Sequence, residues 1–293
     1  MPIETKSILS DLKKDADTWF GLRYSMNLYR GCQHGCIYCD SRSACYRMDR
    51  LDRIYVKENA LEVLERTLAS KRVKDTIGFG SMNDPYMPLE RQYQMTRRAL
   101  EIIANYRFPV HIITKSDLVI RDIDLLQRIS GVYAAVSVTI TTFDDVLCKK
   151  LEPFAPVTSK RFEAIRRLSE AGIYCGVTLM PVLPFLNDNE ENIVSILEEA
   201  AACGAQYVVG YMGMTLREGS REYYYDKLDQ LFPGLSDKYR QTFGQKYGIN
   251  SPDYKHLFTV FYDTCKRLNL QTKMDFYRPK DPSMDYEQLK FDI

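Results

Sequence analysis

The chain has 293 residues, 45% of them hydrophobic and 27% charged, the make-up of an ordinary globular protein with room for one large α/β domain or two modest ones. Forty basic against thirty-nine acidic side chains leave a net charge of +1, which excludes a generally cationic nucleic-acid binder and leaves only a local basic groove open. No apolar run approaches the ~20 residues that cross a bilayer. Eight cysteines are too sparse for a disulfide scaffold, so free thiols in a reducing cytoplasm are expected.

Residues 1–23 form an N-terminal segment ahead of the first strand. From there, short β-branched runs alternate with helical patterns. Met26–Arg30 reads as strand one, followed by the loop RGCQHGCIYCD. Glu58–Ser70 reads as a helix with Leu61, Leu64 and Leu68 on one face. Strand two is Thr76–Gly80, then a helix over Thr96–Tyr106, then strands three and four at Val110–Thr114 and Ala134–Thr139. The helix Thr158–Ala171 stops at Gly172, a residue suited to a left-handed cap. Strand five, Ile173–Met180, leads to a helix over Asp188–Cys203 with Asp188 and Glu191 in a capping-box relation and Gly204 as its stop. Strand six is Gln206–Tyr211.

Six strands separated by helices predict a partial (β/α)6 TIM-type barrel over residues 24–211, with parallel strands and right-handed crossovers. Residues 212–293 read as a helical and irregular C-terminal extension. Arg217–Gly248 is Tyr-rich and polar, and Ser251–Leu268 reads as a helix. The extension is expected to cap the open barrel edge. The chemistry of such barrels sits at the C-terminal strand ends, where the loops after strands one, two, three and five converge.

Cys32, Cys36 and Cys39 stand in the first of those loops, spaced so that three thiolates face one point. Cysteine sulfur holds iron–sulfur clusters. A zinc site would need His34 or Cys45 as its fourth ligand, and no second paired Cys/His set exists. The other cysteines, Cys45, Cys148, Cys175, Cys203 and Cys265, show no repeated spacing. The 21 tyrosines against a single tryptophan would suit a substrate channel or base stacking, and equally half-buried packing.

CQHGCIYC resembles the Cys-x3-Cys-x2-Cys signature of the radical S-adenosylmethionine (SAM) enzymes, with Tyr38 as the aromatic before the third cysteine. The stretches YSMNLYRGCQHGCIYCD, SMNDPYMPLE, ITKSDLVIRDIDLL, VSVTIT, LEPFAPVTSKRFEAIRRL and MPVLPFLND are similar to the spore photoproduct lyase-like, or DNA repair photolyase-like, branch. The resemblance runs from about Tyr24 to Tyr211. It implies one 4Fe–4S cluster on Cys32, Cys36 and Cys39, with SAM chelating the fourth iron. Reduction of the cluster would cleave SAM to a 5′-deoxyadenosyl radical that takes a hydrogen atom from substrate. It further implies Tyr38 against the SAM adenine, Ser81, Asn83 and Asp84 near its amino group, Lys115 on its carboxylate, and Ser137 as a further contact. Glu152 and Arg161 match recurring positions as a structural ion pair or a substrate clamp.

Lyases of this branch carry a cysteine at the end of strand two that returns a hydrogen atom to the product. Phe79–Asp84 has none here, which leaves Cys45, Tyr86 and Tyr93 as candidate donors. The resemblance implies a lyase- or repair-like enzyme acting on nucleic acid. A peptide or small-molecule substrate, and a non-catalytic iron–sulfur redox sensor, stand as alternatives. An electron donor such as flavodoxin or ferredoxin would be the partner, with no membrane involved.

Overall fold

The computed structural model describes residues 1–12, 19–48 and 50–279; the last 14 residues of the extension, 280–293, lie outside the described residues. Six short runs rich in buried apolar side chains pair in sequence order. They are β1 (Tyr24–Met26), β2 (Ile77–Phe79), β3 (Val110–Thr114), β4 (Ala134–Thr139), β5 (Tyr174–Leu179) and β6 (Tyr207–Gly210), all parallel. Every residue of β4 is buried, as a strand covered on both faces must be. The crossovers contain α1 (Ala60–Ser70), α2 (Met95–Tyr106), α3 (Ile123–Ser130), α4 (Thr158–Glu170) and α5 (Glu190–Ala202). A further helix, α6 (Tyr254–Leu268), packs on α5, with Leu257, Phe261 and Cys265 joining the main core. The fold is α/β, a partial TIM-type barrel.

The open margins are both occupied. Leu9–Asp11 pairs antiparallel with β1. At the other margin Gln271 bridges Tyr207, and the Val208 N–H donates to the Gln271 carbonyl at 2.8 Å.

Three readings of the sequence need correction. Strand one does not run Met26–Arg30. The chain leaves the barrel after Met26, and Tyr29–Arg30 joins Tyr55–Lys57 and Pro2–Ile3 in a separate three-stranded sheet. Lys57 stabilises the crossing, its backbone N–H on the Leu28 carbonyl and its ammonium on the Asn27 carbonyl. The cap of α5 falls at Asn189, which accepts from the Asn192 N–H at 2.9 Å, while Asp188 accepts from the Ser251 hydroxyl. Asn and Asp cap equally well, so composition could not separate them. The Tyr-rich stretch, finally, is not irregular. It forms helices Ser220–Leu231 and Leu235–Phe243, whose Tyr224, Tyr225 and Tyr239 pack with Ile37 and Tyr38 of the cysteine loop. Of the described extension, these helices sit against the cysteine loop, and Gln271 is what bridges the barrel margin.

The lower barrel is filled. Phe20 stacks on His111 at 5.0 Å, and the side chain of Leu22 lies where a Cβ on Gly78 would stand, 2.3 Å from it. His111 Nε2 and the Tyr207 hydroxyl each lie 2.7 Å from the Ser137 hydroxyl.

Candidate active site

A cavity of about 320 Å³ opens at the C-terminal strand ends. Its walls are Cys32, Cys36, Cys39 and Tyr38 from the first loop, Gly80–Asp84 from the second, and Thr114 and Lys115 from the third. Met180, Pro181 and Tyr211 close the far side.

Backbone geometry holds the loops in place. Gly31 has φ +92°, and a Cβ there would lie 2.6 Å from the Arg53 carbonyl oxygen, so only glycine lets the chain turn into Cys32. Gly80 has φ +94°, and its Cβ would lie 2.1 Å from the Ile113 oxygen. The cysteine loop also rests on residues 151–154. The Ile37 N–H donates to the Leu151 carbonyl at 2.9 Å, and the Phe154 N–H to the His34 carbonyl at 3.1 Å.

Beneath that loop lies a fully buried ion pair, Glu152 with Arg161. Glu152 also accepts from the Tyr38 hydroxyl. Arg161 donates to the Thr139 carbonyl at 2.9 Å and the Pro156 carbonyl at 2.8 Å. One guanidinium therefore ties the end of β4 to the loop that cradles the cysteines. Burial pushes the Glu152 carboxyl up, but Arg161 and then Lys115 outweigh it and hold it below its usual range. Burial works against the Lys115 charge, and Cys36, once ionised, and the Glu152 carboxylate more than compensate.

Asp84 is saturated. Its carboxylate accepts from the Tyr86 N–H (2.8 Å), the Thr114 hydroxyl (2.7 Å) and the Lys115 N–H (2.7 Å). His34 Nε2 stands 3.0 Å from Oδ2, the oxygen that also accepts from Lys115, off the line of a well-aligned hydrogen bond. Burial raises the Asp84 pKa, yet His34 and these donors bring it down to about 2. Burial and then Asp84 raise Cys32 to about 12, and burial raises Cys36 well above a free thiol. Burial thus favours the protonated form of Cys32 and Cys36, whose protons a bound metal would displace.

The donor set fits an iron–sulfur group, being three thiols on one shielded wall with an ammonium opposite. Among the described residues, no three His, Cys, Asp or Glu side chains stand close enough to enclose a single ion. Of the two zinc partners considered, His34 faces Asp84, and Cys45 is exposed and accepts from Arg217 at 3.4 Å.

The remaining sequence candidates divide. Tyr38, Ser81, Asn83 and Lys115 line the cavity, with the Lys115 ammonium 5.8 Å from the Tyr38 ring centre. Ser81 lies 3.0 Å from the Ser25 hydroxyl, and the Asn83 amide donates to the Tyr29 carbonyl at 2.6 Å. Ser137 does not line it, because its hydroxyl is taken by His111 and Tyr207 lower in the barrel. Cys45, Tyr86 and Tyr93 do not line it either. Tyr86 is buried behind the loop beneath the Arg121 guanidinium, and Tyr93 is exposed in the short helix Glu90–Tyr93. Sequence reasoning passed over Tyr46, Tyr211 and Thr215, which do line it. Tyr211 ends predicted strand six, and that position was the available signal.

Among the described residues, no helix is long and apolar enough to cross a membrane. The sequence profile of the radical SAM superfamily matches residues 26–197. An uncharacterized protein of Methanocaldococcus jannaschii is 37% identical over 173 residues, 58% of this chain and 64% of that protein. One of Mycobacterium tuberculosis is 31% identical over 229 residues, 75% and 67% of the two chains. The radical SAM Nα-GlyT isomerase of Pseudomonas phage M6 is 28% identical over 178 residues, 61% of this chain and 36% of its own. The chain thus spans about two thirds or less of these relatives' length. Spore photoproduct lyase with bound AdoMet and dinucleoside spore photoproduct has the same fold, with a TM-score of 0.65 at 14% identity over 91% of this chain and 78% of that one.

Proposed function

The chain belongs to the radical SAM superfamily, and from that premise we propose that its strand-end cavity holds one 4Fe–4S cluster and one SAM and takes a hydrogen atom from a substrate at the rim. The observation that carries this is the meeting of Cys32, Cys36, Cys39 and Lys115 in one cavity, on loops far apart in sequence. Bound there, the cluster and SAM supply the one-electron cleavage of a sulfonium bond, the source of a carbon radical. The three cysteines lose their protons on loading and act as its ligands. Lys115 meets the SAM carboxylate as a point charge. The Tyr38 ring, fixed from behind by Glu152, forms the wall for the adenine. Ser81 and Asn83 edge the amino end, and saturated Asp84 positions their loop rather than touching SAM. Ser137, His111 and Tyr207 close the floor and exclude water from below.

For the substrate, we infer one carried on a nucleotide. The phage relative is named for an Nα-GlyT isomerase, and the lyase of the same fold holds a dinucleoside photoproduct. The Phe79–Asp84 stretch has no cysteine to return hydrogen. Besides Tyr38, whose hydroxyl is held by Glu152, Tyr46 and Tyr211 are the phenols that line the cavity and are the candidates to return it.

Anaerobic reconstitution tests the reading. We expect about four irons per chain, the content of one such cluster, and 5′-deoxyadenosine on reduction with dithionite. Cys36→Ala should lose both; a variant that kept them would overturn the assignment.

A further inference from the structure

Immediately outside the cysteine loop lies a second cleft of about 300 Å³. Arg30, Arg47, Arg50 and Arg53 line it with Tyr55, and among the described residues none of its lining is acidic. All four arginines are exposed. Arg50 pairs with Asp52 at 2.6 Å, but both side chains are more than half exposed, so the pair is screened and weak. Asp49 lies outside the described residues. Lys57 adds a nearby cation, its pKa lowered by burial and then by the charge of Arg30. Like charges crowd here on a chain whose overall charge is nearly balanced, a local field that favours an anionic partner.

The position of the cleft narrows the choice of partner. The Cys32 N–H donates to the Leu51 carbonyl at 2.8 Å, and the Arg53 carbonyl sits where a Cβ on Gly31 would be. The turn bearing Arg50 and Arg53 is thus packed directly on the backbone of a cluster ligand. The cleft shares no lining residue with the cavity. It meets the cysteine loop through the turn that packs on Gly31 and Cys32, whereas Ser81, Tyr211 and Thr215 line only the cavity. The three-cysteine spacing occurs once in the chain, so the electron that starts the chemistry must come from another molecule.

We propose that the arginine cleft is the docking surface for an acidic one-electron carrier protein, an inference that rests on the cluster reading above. One electron would pass from the reduced carrier to the oxidised cluster that Cys32, Cys36 and Cys39 would hold. The carrier ends oxidised by one electron, and no atom or proton changes hands. Such encounters are small and transient, and charge complementarity speeds them mainly through the on-rate.

The test compares two reductants on the reconstituted protein. Reduced flavodoxin must dock, whereas dithionite is small and needs no protein surface. Arg47→Gln/Arg50→Gln/Arg53→Gln should slow flavodoxin-driven bleaching of the cluster absorbance by about tenfold or more at low salt, within the ~10–1000-fold range that steering adds to on-rates. The difference should vanish at high salt, and the triple Arg→Lys variant should recover most of the rate. Dithionite-driven 5′-deoxyadenosine formation should stay within about twofold of wild type, since no cavity residue is changed. Wild-type flavodoxin kinetics in the Gln variant would overturn the proposal. So would loss of single-stranded oligonucleotide binding with carrier kinetics unchanged, which would assign the cleft to a phosphate backbone. Failure of dithionite to drive wild type would instead sink the cluster reading itself. Should the triple Gln variant misfold, Arg50→Glu alone, on the most exposed of the paired arginines, keeps the comparison available.

Discussion

Tyr38 and Glu152 stand 114 positions apart and share a buried hydrogen bond, hydroxyl to carboxylate, beneath the cysteine loop. Glu152→Ala would cut that bond and leave Arg161 charged and uncompensated at zero exposure. Removing one partner of a buried pair costs about 3–5 kcal/mol. Urea unfolding of the metal-free protein should show a loss in that range, and Tyr38→Phe a smaller one of about 1.5–3 kcal/mol, the worth of a hydrogen bond to a charged group. Equal losses for the two variants would contradict this account.

Asp84 holds two loops together through three aligned donors and His34. Asp84→Asn keeps the shape but removes the charge and turns an N–H₂ toward at least one of those donors. We expect more than about 3 kcal/mol of lost stability, since hydrogen bonds to a charged group contribute about 1.5–3 kcal/mol each. A loss under about 1 kcal/mol, of the size of a single neutral hydrogen bond, would show that the carboxylate is not the organising group.

Gly80 and Gly172 both adopt positive φ, but only Gly80 is enclosed. Gly172→Ala meets open space and should cost about 1–2 kcal/mol, the left-handed penalty alone. Gly80→Ala adds a Cβ 2.1 Å from the Ile113 oxygen and should shift strand ends that line the cavity. Calorimetry of the two variants side by side gives the contrast, with Gly80→Ala clearly the worse.

His111 titrates far from its ordinary value. Burial lowers its pKa from 6.5 to about 3. The unfolded chain therefore takes up a proton below pH 6.5 that the folded chain accepts only near pH 3. The contribution is fully present above pH 6.5 and falls away as pH drops toward 3, by at most about 1.4 kcal/mol per pH unit. Stability measured against pH for wild type and His111→Gln should diverge in that window, with the variant the flatter. Parallel curves would exclude His111 as a source of acid sensitivity.

The barrel was legible because its strands are buried on both faces. Val110–Thr114 and Ala134–Thr139 read as apolar or β-branched runs interrupted by one polar residue each, His111 and Ser137, and the structure has those bounds. The departure of the chain after Met26 was not, since Tyr29–Arg30 continues the same extended pattern into another sheet. Within the site, the cysteine spacing was visible but its support was not. Glu152 and Arg161 read equally as a structural ion pair or a substrate clamp, and only three-dimensional packing shows that they pair with each other, fully buried. The same limit applies to Asp84: a carboxylate can be seen in a sequence, whereas the number of donors already on it cannot.

The strand Leu9–Asp11 has a consequence for how copies of the protein behave toward one another. An unclosed sheet offers a row of unpaired backbone groups that can recruit a neighbouring molecule. Here the outermost strand on one side is only three residues long, and its Asp11 is engaged by Lys71 at 2.7 Å. On the other side the Gln271 segment already occupies the margin. Among the described residues the sheet is left with little free edge for a second chain to extend, so the incomplete closure of the barrel does not expose it to strand-by-strand aggregation.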